Sequence, residues 1–234
     1  MGCLRASRGK TGPLSMVVVA AGSSNRMGFD KIFSLLDGCP VITYSLRAFQ
    51  TCELVKEIIV VVNEENFGIA GEMCAQFTKV KKLVIGGSRR IDSVMNGVLE
   101  TDRRAGLIGV HDGARPFVTH KIIEDTAVLA EKHGAAIPAI GVNDTIKMAS
   151  TSKMVTGTPA RSELFAVQTP QIFDGSILKG ALKKALSSDA EITDDSMAVE
   201  ALGVHIYLSE GSEENLKLTR PIDIITAEGI LRRL

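Results

Sequence analysis

Apolar runs of strand length recur along the chain at Met16–Ala20, Glu57–Val62, Val80–Ile85, Leu107–His111, Ala135–Ile140, Leu164–Val167 and Val204–Leu208. They are rich in Val, Ile and Leu and mostly lack polar alternation, the pattern of strands buried on both faces. Between them, Pro40–Gln50, Asn66–Phe77, Arg89–Glu100 and Thr119–His133 are amphipathic and long enough to be helices. Pro40 suits a first helical position and Thr119 can cap the last of these. Gly175–Leu186, Asp195–Leu202 and a terminal segment from Pro221 predict three more helices. Strand–helix alternation predicts an α/β fold with a mostly parallel, doubly wound sheet and right-handed crossovers. Ligands on such sheets gather at the carboxyl ends of the strands.

The alternation breaks at residues 143–160, where NDTIKMASTSKMVTGTPA is polar, Thr-rich and turn-centred on Ser150–Ser152. This predicts a β-hairpin projecting from the sheet. An isolated hairpin is marginal in water, so it reads either as a dimer arm completed by a second copy or as a surface flap. No repeat or composition shift marks a second domain, which leaves residues 16–234 as one unit.

Composition narrows the partners. The 234 residues carry 27 Lys and Arg against 27 Asp and Glu, a balance that argues against a nucleic-acid or anionic-membrane binder. Arg5, Arg8 and Lys10 fall in the first 15 residues, which contain no acid, so the body from residue 16 is mildly acidic, with 24 bases against 27 acids. That basic start reads as a disordered tail, with an organellar targeting peptide as the alternative. No apolar stretch approaches the ~18 residues of a membrane span. Cys3, Cys39, Cys52 and Cys74, and His111, His120, His133 and His205, show no metal-knuckle or redox spacing. A zinc enzyme is thereby disfavoured, and unpaired thiols suit the cytoplasm.

Three strand ends carry candidate chemistry. The first runs into Ala20-Ala21-Gly22-Ser23-Ser24-Asn25-Arg26-Met27-Gly28, with Lys31 beyond. Small residues let backbone N–H groups approach a phosphate, and Arg26 and Lys31 add charged donors. The spacing fits neither a P-loop nor a dinucleotide fingerprint. The third strand ends in Gly86-Gly87-Ser88-Arg89-Arg90 ahead of Asp92 and Ser93, either a base- or ribose-reading loop or a capped turn. The fourth ends in Val110-His111-Asp112-Gly113-Ala114-Arg115-Pro116, where Asp112 can hold a divalent cation or form a turn ion pair with Arg115. His111 lies within the apolar pattern and reads as a structural histidine. Thr145, Arg161, Thr169, Thr193 with Asp194 and Asp195, and Lys217 complete the candidates. Leu216 and Leu218 flank Lys217 with period two, which turns the lysine away from their packing face.

Taken together and in order, AAGSSNRMG with Lys31, GGSRRIDSV, VHDGARPF, NDTIK, AVQTPQIF, ITDD and NLKLTRP closely resemble the cytidylyltransferases that activate sugar-alcohol phosphates. The resemblance runs from about Val17 to the C-terminus. It implies a Rossmann-like, glycosyltransferase-A-like nucleotidyltransferase fold that binds CTP and Mg²⁺ and pairs through its arm as a homodimer. It implies that Ala20, Ala21, Gly22, Gly87, Ser88 and Ser93 line the CTP site, and that Arg26 and Lys31 act on its phosphates. Asp112, Arg115, Thr145, Thr169 and Thr193 are then acceptor-side residues, with Asp112 also the metal ligand. Arg161 and Lys217 hold the acceptor phosphate, and Thr145 and Arg161 reach in from the neighbouring subunit. The implied acceptor is methylerythritol 4-phosphate, with ribitol 5-phosphate as the alternative and a non-catalytic nucleotide-binding regulator as the reading of another class. Two departures stand out: Asp30-Lys31-Ile32 replaces the common Pro-Lys-Gln, and Ser88 replaces the Asp common after the paired glycines.

Overall fold

The computed structural model describes residues 13–22, 32–188 and 192–233. In chain order the elements are β1 (Leu14–Ala20), β2 (Leu35–Leu36), β3 (Cys39–Pro40), α1 (Val41–Thr51), β4 (Val55–Val62), α2 (Phe67–Cys74), β5 (Val80–Ile85), α3 (Arg90–Leu99) and β6 (Leu107–Asp112). Then follow α4 (His120–His133), β7 (Ala135–Gly141), β8 (Met148–Ala149), β9 (Val155–Gly157), β10 (Phe165–Val167), β11 (Gln171–Asp174), α5 (Gly175–Leu186), α6 (Asp195–Glu200), β12 (Tyr207–Glu210) and α7 (Pro221–Leu231).

The main sheet has the order β5-β4-β1-β6-β11-β7, with β10 and β12 also pairing with β7. Four pairings are parallel (β1 with β4 and β6, β4 with β5, β7 with β12), while β10 and β11 run antiparallel to their neighbours. The chain winds from β1 outward to β4 and β5, then returns to β6 on the other side of β1. This makes a topological switch point, and Val19 and Asp112 stand side by side there as partners in the β1–β6 ladder.

Both faces of β1 and β4 are covered, which accounts for the missing polar alternation. Met16, Val18, Ile58 and Val60 pack with Ile42, Leu46 and Phe49 of α1 and Ile122 and Ile123 of α4. Val17, Ile59 and Val61 pack instead with Val94 and Val98 of α3 and Leu178 and Leu182 of α5. Thr119 caps α4 by accepting from the Ile122 N–H, and Gly134 ends it at φ 93°, a left-handed conformation that glycine adopts without steric cost.

Several elements depart from the sequence expectation: β2 and β3 form a short unforeseen pair, and Pro40 ends β3 as the cap of α1 rather than taking its first helical position. Gln171–Asp174 forms a strand that its four residues, only two of them strongly apolar, do not announce. Near the end, Val204 and Ile206 pack against the second core cluster, while the ladder begins only at Tyr207. An apolar run here marks burial without marking pairing. Residues 143–160 do contain a hairpin, in which β8 pairs with β9 alone. Among the described residues no helix is long and apolar enough to cross a membrane.

Candidate functional site

A cavity of about 410 Å³ opens at the carboxyl ends of β1 and β6, lined among others by Ala21, Gly22, Gly87, Ser88, Arg90, Ser93, Asp112 and Lys217. Around Asp112 and Ala114 at the β6 end, three further chain segments wall it. The β1 end supplies Ala21 and Gly22, and the turn into α3 supplies the second wall. The third wall exists because α7 folds back: Leu218 packs with Leu36, Val41, Phe117, Ala227 and Ile230, and its N–H donates to the Ala114 carbonyl at 2.9 Å. Burial of Leu218 leaves Lys217 directed at the cavity.

The wall at α3 is stiff and closely fitted. A Cβ on Gly86 would lie 2.4 Å from the Ala21 Cβ, and one on Gly87 would lie 2.4 Å from the Asp92 Cβ. The Ser93 hydroxyl accepts from the Gly87 N–H at 3.0 Å. Arg89 donates through its backbone and its guanidinium to the Asp92 carboxylate. Hydrogen bonds from Arg89 are the main reason the Asp92 carboxyl is held down at about 2.

At the floor, four charges alternate in sign. Lys217 Nζ lies 2.7 Å from Asp112 Oδ2, Arg90 Nη2 lies 3.4 Å from Asp112 Oδ1, and Arg90 grips Asp195 with Nη1 and Nη2 at 3.0 and 2.8 Å. Burial works against ionised Asp112, but Lys217 and Arg90 outweigh it and hold the carboxyl far below the usual range. Burial also opposes the Arg90 charge, and Asp195 and Asp112 outweigh it in turn, so the guanidinium stays protonated.

Beneath Asp112, the backbone is fixed by a relay. The Asp112 N–H donates to Thr169 Oγ1 at 3.1 Å, and the Thr169 hydroxyl faces His111 Nδ1 at 3.0 Å. His111 Nε2 meets the Arg115 carbonyl at 3.1 Å; since a carbonyl only accepts, the ring proton is on Nε2 and the Thr169 hydroxyl donates to Nδ1. Burial lowers the His111 pKa to about 4, so the ring is neutral near pH 7.

The structure thus brings Ala21, Gly22, Gly87, Ser88, Ser93, Asp112 and Lys217 around one cavity. Ala20 lies just behind it, buried at the end of β1. Thr169 sits beside Asp112, but its hydroxyl is already engaged below the floor. The proposed Asp112–Arg115 turn pair does not form: the guanidinium donates to the carbonyls of Asn215 and Val167, at 2.7 and 3.3 Å, while Asp112 faces Lys217 and Arg90. Thr145 on the arm and Arg161 just after it are exposed, Arg161 donates to the Asn143 carbonyl at 3.0 Å, and neither lines the cavity. Thr193 is exposed, with its hydroxyl 3.6 Å from Met197 Sδ. Arg26 and Lys31 lie outside the described residues, as do residues 1–12 of the basic tail.

Arg90 is a charged cavity residue that the sequence did not single out. It precedes Ser93 by three positions at the start of α3, and residues three apart share a helix face. Asp195 stood in the sequence among the candidates beside Thr193 and Asp194, and it is buried against Arg90.

Among the described residues no three His, Cys, Asp or Glu side chains converge on a metal position. Asp112 is the carboxylate that lines the cavity. A lone carboxylate fits Mg²⁺, which commonly binds through one or two carboxylates and completes its shell with substrate phosphates and water.

The family model for IspD, 2-C-methyl-D-erythritol 4-phosphate cytidylyltransferase, matches residues 14–233. A 2-C-methyl-D-erythritol 4-phosphate cytidylyltransferase of Alkaliphilus metalliredigens is 40% identical over 226 residues, covering 94% of this chain and 93% of the relative. One from Caldanaerobacter subterraneus subsp. tengcongensis is 40% identical over 225 residues, covering 94% of this chain and 99% of the relative. The crystal structure of 4-diphosphocytidyl-2C-methyl-D-erythritol synthase from Anaerococcus prevotii superposes with a TM-score of 0.87 at 28% identity, covering 96% of this chain and all of that one. The chain therefore belongs to the 2-C-methyl-D-erythritol 4-phosphate cytidylyltransferase family.

Proposed function

We propose that this chain transfers the cytidylyl group of CTP to 2-C-methyl-D-erythritol 4-phosphate, releasing pyrophosphate. A phosphate oxygen of the acceptor attacks the α-phosphorus, a new P–O bond forms, and the bond from the α-phosphorus to the pyrophosphate oxygen breaks. Two polyanions must meet for this, so catalysis consists chiefly of positioning and charge neutralisation. The observation that carries the reading is the cavity floor, where Lys217 and Arg90 flank Asp112 between a glycine-walled loop and the end of β6.

Ala20, Ala21, Gly22, Gly87, Ser88 and Ser93 form the nucleotide side in this reading. Backbone groups there do the reading that aromatic side chains do elsewhere, because the chain has no Trp and two Tyr. Lys217 leaves Asp112 to hold the acceptor phosphate, and Arg26 and Lys31 offset the charge that develops toward pyrophosphate. Asp112 would hold Mg²⁺ together with the triphosphate, and the ion would supply further neutralisation of phosphate charge. Arg115, Thr169 and Thr193 support the acceptor side; for Thr169 the support is indirect, through the Asp112 backbone.

Residues 143–160 are a dimerisation arm on a single catalytic unit of residues 16–234 in this proposal. Met148, Met154 and Val155 on that hairpin are more than half exposed, which suits cover by a second copy that receives Thr145 and Arg161. The cytoplasm is the proposed compartment. Pyrophosphate release from CTP and Mg²⁺, measured with each acceptor in turn, tests the assignment. Release with methylerythritol 4-phosphate and none with ribitol 5-phosphate is expected; the reverse assigns the other acceptor, and release with neither overturns the enzyme reading.

A further inference from the structure

We infer that Asp195 is a positioning residue: by clamping Arg90 it holds the guanidinium that orients the Asp112 carboxylate when Lys217 turns to a substrate phosphate. This rests on the reading of the cavity as a cytidylyltransferase centre and assigns roles to two residues to which the resemblance gave none.

Lys217 has one ammonium group, and the structure places it on Asp112 at 2.7 Å. When it turns to an anionic substrate, the Asp112 carboxylate loses its shortest hydrogen bond, the one that fixes the orientation of Oδ2. A carboxylate with one orienting hydrogen bond fewer swings more freely, and a misplacement of ~1 Å near a reacting centre can cost about a hundredfold in rate. Among the described residues Arg90 is the other cation on Asp112, at 3.4 Å. Its own position is unusual, because it is the first residue of α3, where the positive end of the helix dipole disfavours a cation. The guanidinium is nonetheless held mostly out of solvent, and Asp195 supplies what holds it: both carboxylate oxygens accept from the two terminal nitrogens, a fork that fixes the plane of the guanidinium. Nη2 is thereby presented to Asp112.

Asp195 is in turn rigidly mounted. It opens α6, whose cap Asp194 accepts from the Met197 N–H, and Gln171 of β11 donates to Asp194 and accepts from the Ser196 N–H. Asp195 is buried and does not line the cavity, whereas Arg90, Asp112 and Lys217 do. Its effect on the reaction therefore passes through Arg90.

The test measures kcat and KM for both substrates, with thermal melting, in Asp195→Asn, Arg90→Gln and the double variant. Each single change is expected to lower kcat by roughly tenfold or more, the scale of losing a supporting partner behind a functional group. KM for CTP changes little. The double variant should be no slower than Arg90→Gln alone, because residues acting through one contact are non-additive. Asp195→Asn with kcat within about twofold of the parent, or a double loss equal to the product of the single losses, overturns the inference. If Asp195→Asn does not fold, the double variant, which leaves no unpaired charge, is compared with Arg90→Lys. Arg90→Lys keeps the charge without the fork, so it should fold and stay slow; parental kcat in it also overturns the inference. The parent's own turnover tests the underlying reading separately: an inactive parent fails that reading, a fully active Asp195→Asn only this one.

Discussion

Replacing Gly97 by alanine adds one methyl group at the seam between α3 and the sheet. The new Cβ would lie 2.5 Å from Val17 Cγ1 and 2.7 Å from Val61 Cγ2. Neither neighbour can yield easily, since Val17 and Val61 are fully buried, stand on central strands and are stiff at χ1. Comfortable carbon–carbon contact lies near ~3.5–4.0 Å, so α3 must retreat by about 1 Å. Overpacking of this kind costs about 1–3 kcal/mol, while alanine recovers about 1 kcal/mol of helix propensity over glycine. The packing term wins, and a net loss of about 1 kcal/mol lowers Tm by roughly 2–4 °C in a chain of this size.

Function should suffer more than stability. The same helix carries Arg90 and Ser93 into the cavity, and a misplacement of ~1 Å can cost about a hundredfold in rate. Thermal denaturation and steady-state kinetics on one preparation measure both. A lowered Tm with kcat reduced roughly ten- to a hundredfold is expected. A raised Tm with parental kcat would show that α3 packs with slack and would refute the account of the seam.

Lys217→Ala should keep its circular dichroism and lose about a hundredfold or more in kcat, as for loss of an electrostatic transition-state contact; unchanged kcat rejects its role. Mixed with Arg161→Ala, it should regain activity if two copies share a site, and no recovery after verified subunit exchange counts against the arm. Thr169→Val keeps the shape but strands the Asp112 N–H and His111 Nδ1, so chemical denaturation should register a loss of about 2 kcal/mol. A loss below ~0.5 kcal/mol would mean water replaces the hydroxyl. Asp223 accepts from the N–H groups of Thr219 and Arg220 at the start of α7, and these bonds outweigh burial to lower its pKa below the ordinary 3.8. Asp223→Ala should cost about 1 kcal/mol at neutral pH. That cost is full above 3.8 and fades as the pH falls through the lower folded value, because the folded state then takes up the proton it had resisted. A gap between parent and variant that stays constant down to acid pH would contradict the capping role.

Hydrophobic patterning alone determined that β1, β4 and β6 are central and two-face buried, because lack of polar alternation is a local property of each segment. The glycine loops at β1 and β5, and the outward set of Lys217 between Leu216 and Leu218, were legible for the same reason: spacing along the chain dictates facing. Tertiary structure alone decided the charges. Asp112, Arg90, Asp195 and Lys217 come from the end of β6, the starts of α3 and α6, and the segment before α7, and no local rule pairs residues 105 positions apart. The chain sum of zero net charge averages over this arrangement. Only the fold of α7 onto Leu36 and Phe117, which buries Leu218, and the stitching of α6 to β11 through Gln171 bring two cations and one carboxylate to the cavity floor and set a second carboxylate beneath it.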